Sequence, residues 1–416
     1  MFQTLRNAWK IPDLRKKILF TLLMIAVFRL GTFIPVPGLN NSVLKNLVGD
    51  GNNFFGLLDA FSGGAFSNAT IFAMSITPYI NSSIIIQLLT VAIPALERLA
   101  KEGEEGRKKL AAWTRYLTVI LAFIQATGLY FGLKGAVTNP GFWSYVTITL
   151  TFTAGTAFLM WLGEQITEYG VGNGISILIF AGIVSRLPVT VYSLVKNLVV
   201  NGGDTKTVVA FAAIVLVSVF SILFVVFMDN AERRISVQYA KRMVGRKMYG
   251  GQSTHIPIKV AMAGVIPIIF AMSIMTFPQT LGALMGKQWN WINSNSWLYI
   301  IIYFLLIIFF TYFYTAIQFN PIEIANNMKK NGGFVPGIRP GKPTSDFINR
   351  VLTRVTLAGA FFLGIIAVLP IILGKYIGFS ISIGGTSLLI LVGVALETVR
   401  QIESQMLMRH YKGFLE

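Results

Sequence analysis

The run from Trp297 to Ile317 reads WLYIIIYFLLIIFFTYFYTAI, twenty-one residues without a charge. A bilayer core needs about 20 mostly apolar residues per helix, and this run supplies them. Working outward with the same window gives nine more spans, near 18–35, 71–95, 113–132, 144–163, 174–195, 207–228, 258–280, 355–374 and 377–396. The fourth, fifth and tenth are interrupted by Gly, Ser and Thr. Composition agrees with ten spans: 54% of the 416 residues are hydrophobic, only 12% are charged, and mean hydropathy is +0.66. An ordinary soluble domain is about a quarter charged. A soluble fold cannot hide so much apolar side chain, so the bilayer must be the solvent for much of the surface. The expected fold class is an all-α polytopic membrane protein.

The charge is lopsided, with 35 Lys+Arg against 17 Asp+Glu, a net +18. Nucleic acid would be one explanation, but membrane topology comes first. With the N-terminus in the cytoplasm and ten crossings, 27 of the 35 basic residues fall in cytoplasmic segments and six in outer loops. Arg29 and Arg186 lie within spans. This bias is the positive-inside pattern, and it puts both termini in the cytoplasm. The basic excess is therefore mainly topological. A cationic stretch precedes the first apolar run, yet no small-residue cleavage site follows Ile34-Pro35-Val36-Pro37, so that span is read as retained. There is no Cys, which excludes disulfides, thiol catalysis and Cys metal sites. His255 and His410 are the whole histidine complement. No cofactor and no metal site are expected.

Two inner loops, 229–257 and 318–354, are long, basic and rich in Gly and Pro. Long loops in compact proteins are usually functional or disordered. They are read here as a docking surface for a large cytoplasmic partner.

The spans also repeat. Ile76-Thr77-Pro78-Tyr79-Ile80 in the second matches Val265-Ile266-Pro267-Ile268-Ile269 in the seventh, and Gly174-Ile175-Ser176-Ile177-Leu178-Ile179 in the fifth matches Gly385-Thr386-Ser387-Leu388-Leu389-Ile390 in the tenth. These pairings imply a five-plus-five duplication, with halves 1–200 and 201–416. An odd number of helices per half makes the repeat inverted. Pro within a span is expected to bend its helix. Ile76/Ile80 and Ile175/Ile179 are each i, i+4 and share a helix face. Aimed at a central axis, such side chains could form an apolar constriction that blocks ions by dewetting. Spacing alone leaves open that they face lipid or fill a core. Between the first two spans, 51–69 is too short and glycine-rich to cross, yet Phe54, Phe55, Leu57, Leu58 and Phe61 are too apolar for a free loop. A re-entrant segment packed inside the protein fits better.

The ordered motifs then resemble one family. Phe33-Ile34-Pro35-Val36-Pro37-Gly38, Pro78-Tyr79-Ile80 with Ser83-Ile84-Ile85-Ile86-Gln87-Leu88-Leu89, Gly172-Asn173-Gly174-Ile175-Ser176, Gln252-Ser253-Thr254-His255, Ala263-Gly264-Val265-Ile266-Pro267, Phe334-Val335-Pro336-Gly337-Ile338-Arg339-Pro340-Gly341 and Gly384-Gly385-Thr386-Ser387 are similar to the SecY/Sec61α family of protein-conducting channels, in order along nearly the whole chain. The resemblance implies ten transmembrane helices in two inverted five-helix halves around a central pore. It implies a pore ring at Ile76, Ile80, Ile175, Ile179, Ile269 and Ile390. It implies a plug over 51–69, with Phe54, Phe55, Leu57, Leu58, Phe61, Gly63 and Gly64. A lateral gate would involve Asn81, Gln125, Ala261 and Phe277. The family usually has Asn at the position of Ala261, which would weaken a polar cluster there. Arg242, Arg246, Lys247 and Arg339 would dock the motor ATPase SecA or the ribosome. The implied partners also include SecE, SecG, signal-bearing preproteins and lipid. His255 reads as structural.

Two rivals are weaker. A secondary transporter normally keeps an ionisable cluster at mid-membrane, and no carboxylate matching Arg29 or Arg186 is evident in the spans. An intramembrane enzyme lacks support from any His-rich metal motif, Cys, paired Asp or Gly-x-Ser-x-Gly run. No Gly-x-x-x-x-Gly-Lys-Ser/Thr run supplies a nucleotide site, so force would come from a partner.

Overall fold

Where the apolar runs are long, the backbone closes its hydrogen bonds within the helix, which is what a lipid environment demands. The computed structural model describes residues 2–48, 59, 62–200, 205–239, 242–244, 247–249, 253–284, 296–377 and 385–412. Its helices are α1 (Phe2–Lys10), α2 (Pro12–Gly31), α3 (Asn41–Val48), α4 (Thr77–Ala92), α5 (Pro94–Lys101), α6 (Glu104–Gly132), α7 (Phe142–Tyr169), α8 (Gly174–Val200), α9 (Thr205–Asn230), α10 (Ile266–Leu284), α11 (Trp297–Gln318), α12 (Pro321–Lys330), α13 (Lys342–Ile377) and α14 (Gly385–Lys412). Among the described residues, four stretches are long and apolar enough to cross a membrane: Glu104–Gly132, Phe142–Tyr169, Trp297–Lys330 and Lys342–Ile372. The pair α4 and α5, bent by 103°, makes a fifth if taken as one span. Gly174–Val189, Val215–Asn230 and Ile266–Met275 are shorter apolar helical stretches.

Several boundaries differ from expectation. The second span is helical only from Thr77, residues 71–76 being turns, and the seventh only from Ile266. Pro78 and Pro267 therefore sit in the first turns of α4 and α10 and do not bend a continuous helix. Proline is favoured there because its missing N–H would have had no helical partner. The apolar-x-Pro repeat is a pair of helix starts. The ninth span extends back to Lys342, and the tenth is described as helix from Gly385 to Lys412.

The fold is mostly helical but not all-α. β1 (Glu232–Tyr239) pairs antiparallel with β4 (Ser253–Lys259) and, on its other edge, with β5 (Gly333–Phe334). Between β1 and β4, β2 (Arg242–Val244) pairs with β3 (Lys247–Tyr249). Alternation explains the sheet: Ile235, Val237 and Ile258 point inward and are buried with Met328 of α12, Val335, and Ile348 and Leu352 of α13. The two long loops are thus joined in one structured unit with its own core.

Three larger cores pack the helices together. One joins α6, α7, the segment before α4 and the turn after α2, around Phe66, Met74, Ala126 and Phe152. A second joins α4, α9, α10, α11, α13 and α14 around Tyr303, Ile307, Phe310 and Ala367. A third, between them, draws on α2, α4, α7, α8, α10 and α14.

Ile258 is fully buried in the sheet core. Ile258→Ala is expected to destabilise that unit by about 2–4 kcal/mol. Limited proteolysis should then cut faster within 232–259 while α6 and α7 keep their protection.

Candidate functional site

The central core is where the six isoleucines meet. Ile76, Ile179 and Ile390 are buried in it, and Ile80, Ile175 and Ile269 pack against it. They come from helix beginnings. Ile76 is the N-cap of α4, Ile80 and Ile269 are the fourth residues of α4 and α10, and Ile179 and Ile390 are the sixth residues of α8 and α14 as described. The two proline-containing motifs thus occupy equivalent helical positions. Beside this collar opens a cavity of about 460 Å³. Ile80, Ile175, Ile179, Ile266, Ile269 and Phe270 give it an apolar wall, and Gln87, Arg115, Glu164, Glu168 and Asn173 a polar one. Arg115 Nε and Glu164 Oε1 are 2.7 Å apart, tying α6 to α7.

The Gly-Asn-Gly-Ile-Ser motif is the local device that aims α8. Asn173 Oδ1 accepts from the N–H of Ile175 (3.1 Å) and Ser176 (3.3 Å), satisfying helix-start donors. Gly174 lies so near α7 that an added Cβ would sit 1.9 Å from the Gly163 carbonyl oxygen. A Cβ on Gly163 would meet Ile175 Cδ1 at 2.5 Å. Two glycines therefore let α8 close onto α7 with Ile175 laid across the contact.

N-terminal to Ile76 lies the segment expected from the sequence to be re-entrant. Residues 51–58, 60 and 61, hence Phe54, Phe55, Leu57, Leu58 and Phe61, are outside the described residues. Asp59 and Ser62 are fully buried, and Gly63 and Gly64 are half-buried with positive φ. A Cβ on Gly63 would lie 2.9 Å from both Arg29 Nη1 and Gly182 Cα. Asp59 forms an ion pair with Arg186 of α8. Its Oδ1 accepts from the Ser67 N–H at 2.7 Å, and its carbonyl from the Gly64 N–H at 2.9 Å. Arg29 Nη1 of α2 donates to the Gly63 carbonyl at 3.4 Å. The expectation that Arg186 has no matching carboxylate is thus corrected. Asp59 escaped the sequence reading because it lies far away, in a segment judged by its apolar residues. The usable signal was the pairing of charges that such burial requires. Ala69 (φ 50°) and Ser75 (φ 54°) bracket the connection to α4 in the left-handed region, a strained geometry for residues with a Cβ.

The other predicted residues are spread more widely. Asn81 on α4 and Gln125 on α6 are half-buried, and α4, α6 and α10 pack on one another. Ala261 lies in the turn between β4 and α10, whose Val260 carbonyl rests on Gly359 of α13, and so is not yet helical. Phe277 lies on α10, and Arg242 and Lys247 on β2 and β3, with side chains outside the described set; Arg246 is outside it altogether. Arg339 is exposed in the turn before α13, its carbonyl accepting from Thr344 Oγ1 at 2.8 Å. His255 is exposed on β4 opposite Ser236.

A family model described as SecY matches residues 70–399. The chain is 49% identical over 432 residues to the protein translocase subunit SecY of Halalkalibacterium halodurans, with all of both chains covered. It is 47% identical to that of Bacillus subtilis, again over the full length of both. Among solved structures it resembles a protein conducting channel with a TM-score of 0.68 at 18% identity, over 94% of this chain and 92% of that one. It also resembles Sec61 in the canine ribosome-channel complex from the endoplasmic reticulum, TM-score 0.64 at 17% identity, with the same coverage.

Because Gly174 faces backbone and Gly163 faces the end of a flexible side chain, the two should differ. Gly174→Ala is expected to cost about 2–3 kcal/mol by overpacking and Gly163→Ala about 1 kcal/mol. Thermal unfolding of the two purified variants in detergent measures the order.

Proposed function

The chain belongs to the SecY family, and from that premise we propose that it is the channel subunit that passes unfolded secretory polypeptides across the cytoplasmic membrane. Hydrophobic segments leave it sideways into lipid. The observation that carries this reading is the collar of six isoleucines gathered in one apolar cluster beside an open vestibule. An apolar, deformable collar suits a substrate of variable sequence, because no fixed hydrogen-bonding group selects a side chain. When empty it excludes ions by dewetting. Sorting at the side is a partition test between channel and lipid, set by segment hydrophobicity.

The arrangement we assign is ten spans in two inverted halves, 1–200 and 201–416, with both termini cytoplasmic. The asymmetry of Lys and Arg supports the orientation, and the equivalent helical positions of Ile80 and Ile269 support the duplication. The segment 51–69 acts as the plug. α4 and α10 flank the lateral gate, with Asn81, Gln125, Ala261 and Phe277 along it. The unit built from β1 to β5, α12 and the start of α13 presents Arg242, Arg246, Lys247 and Arg339 to SecA or the ribosome. SecE and SecG complete the membrane complex. The channel is not an enzyme; the partner supplies the force.

The absence of Cys makes the decisive test direct. Ile80→Cys is introduced in one chain and Lys134→Cys, an off-path control, in another. A Cys-bearing precursor is stalled during SecA-driven transport and oxidised. Crosslinking at 80 and not at 134 is expected. Efficient transport with no crosslink at any of the six collar positions would overturn the assignment. At the gate, Ala261→Asn should restore a polar contact worth about 0.5–1.5 kcal/mol. Solute leak through reconstituted vesicles should fall by about two- to tenfold, and an unchanged leak would remove Ala261 from the gate.

A further inference from the structure

We propose that Asp59 and Arg186 form a charge latch that sets how readily the re-entrant segment leaves its seat; this rests on the channel reading above. Arg186 stands seven residues beyond Ile179 on α8, so it projects from nearly the same helix face as the collar residue, about 10 Å further along. Asp59 is fully buried, and its two carboxylate oxygens divide the work. Oδ1 accepts from the Ser67 N–H at 2.7 Å and holds the segment's own turn. Oδ2 faces Arg186 and ties that turn to the channel wall. Arg29, from α2, holds the neighbouring Gly63 carbonyl. Two helices of the N-terminal half thus grip one short stretch.

The latch works against stored strain. Ala69 and Ser75, at the two ends of the connection to α4, both have left-handed backbones, and departure of the segment relaxes them. Departure also separates a buried carboxylate from its cation, which a low-dielectric site strongly opposes. The balance fixes the threshold for opening. An incoming polypeptide that wedges the collar apart admits water to the pair, weakens it, and lets the strained connection carry the segment away.

Asp59→Asn isolates the charge, since the amide oxygen still accepts from Ser67 N–H. The complete membrane complex is reconstituted in lipid vesicles loaded with a small fluorescent dye, and dye leak and precursor transport are both followed. Asp59→Asn and Arg186→Gln are each expected to raise leak about tenfold or more, and to admit precursors with weakened signal sequences. Arg186→Lys, which keeps the charge, should leak close to the unaltered protein and guards against a folding defect. The double variant Asp59→Asn/Arg186→Gln should leak no more than the worse single one, the non-additivity that marks a direct pair. Unchanged leak in Asp59→Asn, or multiplicative leak in the double variant, overturns the latch. If Asp59→Asn does not assemble, the contrast between Arg186→Gln and Arg186→Lys decides: equal leak overturns the proposal. Failure of the unaltered complex to move any precursor would instead overturn the channel reading.

Discussion

The constraint on which the structure depends is that lipid offers no hydrogen bond, so every irregular stretch of backbone must be satisfied by protein. The segment 62–76 is one irregular stretch, and neighbours meet its needs. The N–H of Val36 donates to Ala69 O at 2.8 Å, and the N–H of Ile71 to Ile34 O at 3.1 Å, binding the segment to the turn after α2. Ala65, Phe66, Ala69, Phe72, Ala73 and Met74 bury their side chains around it. Asp59 and Arg186 answer the same constraint for charge. A carboxylate as buried as Asp59 could not stand alone, and the pair ties the irregular segment to α8.

The same constraint bears on the apolar cluster that holds the six isoleucines. Isoleucines from four helices converge, and three of those helices open on a residue suited to a start: Pro78 and Pro267 in first turns, Asn173 as a cap. A helix that begins at the centre can bring a side chain and an adjoining turn to the same place. This is why 71–76 are turns before α4. Close packing of α8 on α7, permitted by Gly163 and Gly174, then fixes how far Ile175 and Ile179 reach inward.

Outside the helical body, the two-residue period of strands applies. β1 and β4 alternate outward and inward side chains as strands do, and their inward residues Ile235, Val237 and Ile258 need a cover. α12 and the start of α13 supply it. Two segments that read as separate basic loops are therefore one body with exposed basic edges.

The sequence by itself determined the helical membrane character, the family and the paired motifs, while the six isoleucines were singled out only through the family resemblance. These are legible because apolar length, proline placement and motif order are local properties of the chain. Several features were decided only in three dimensions: the sheet that interrupts an all-α expectation, the helix starts at Thr77 and Ile266, and the Asp59–Arg186 pair. Each depends on what a residue meets far along the chain. A strand needs its partner, as Ser236 meets His255. A buried charge needs its counter-ion, and Asp59 finds its own on a helix that begins more than a hundred residues later. Spacing along one strand of sequence cannot encode such meetings, because they are fixed by packing and by the energy of leaving a polar group unmatched.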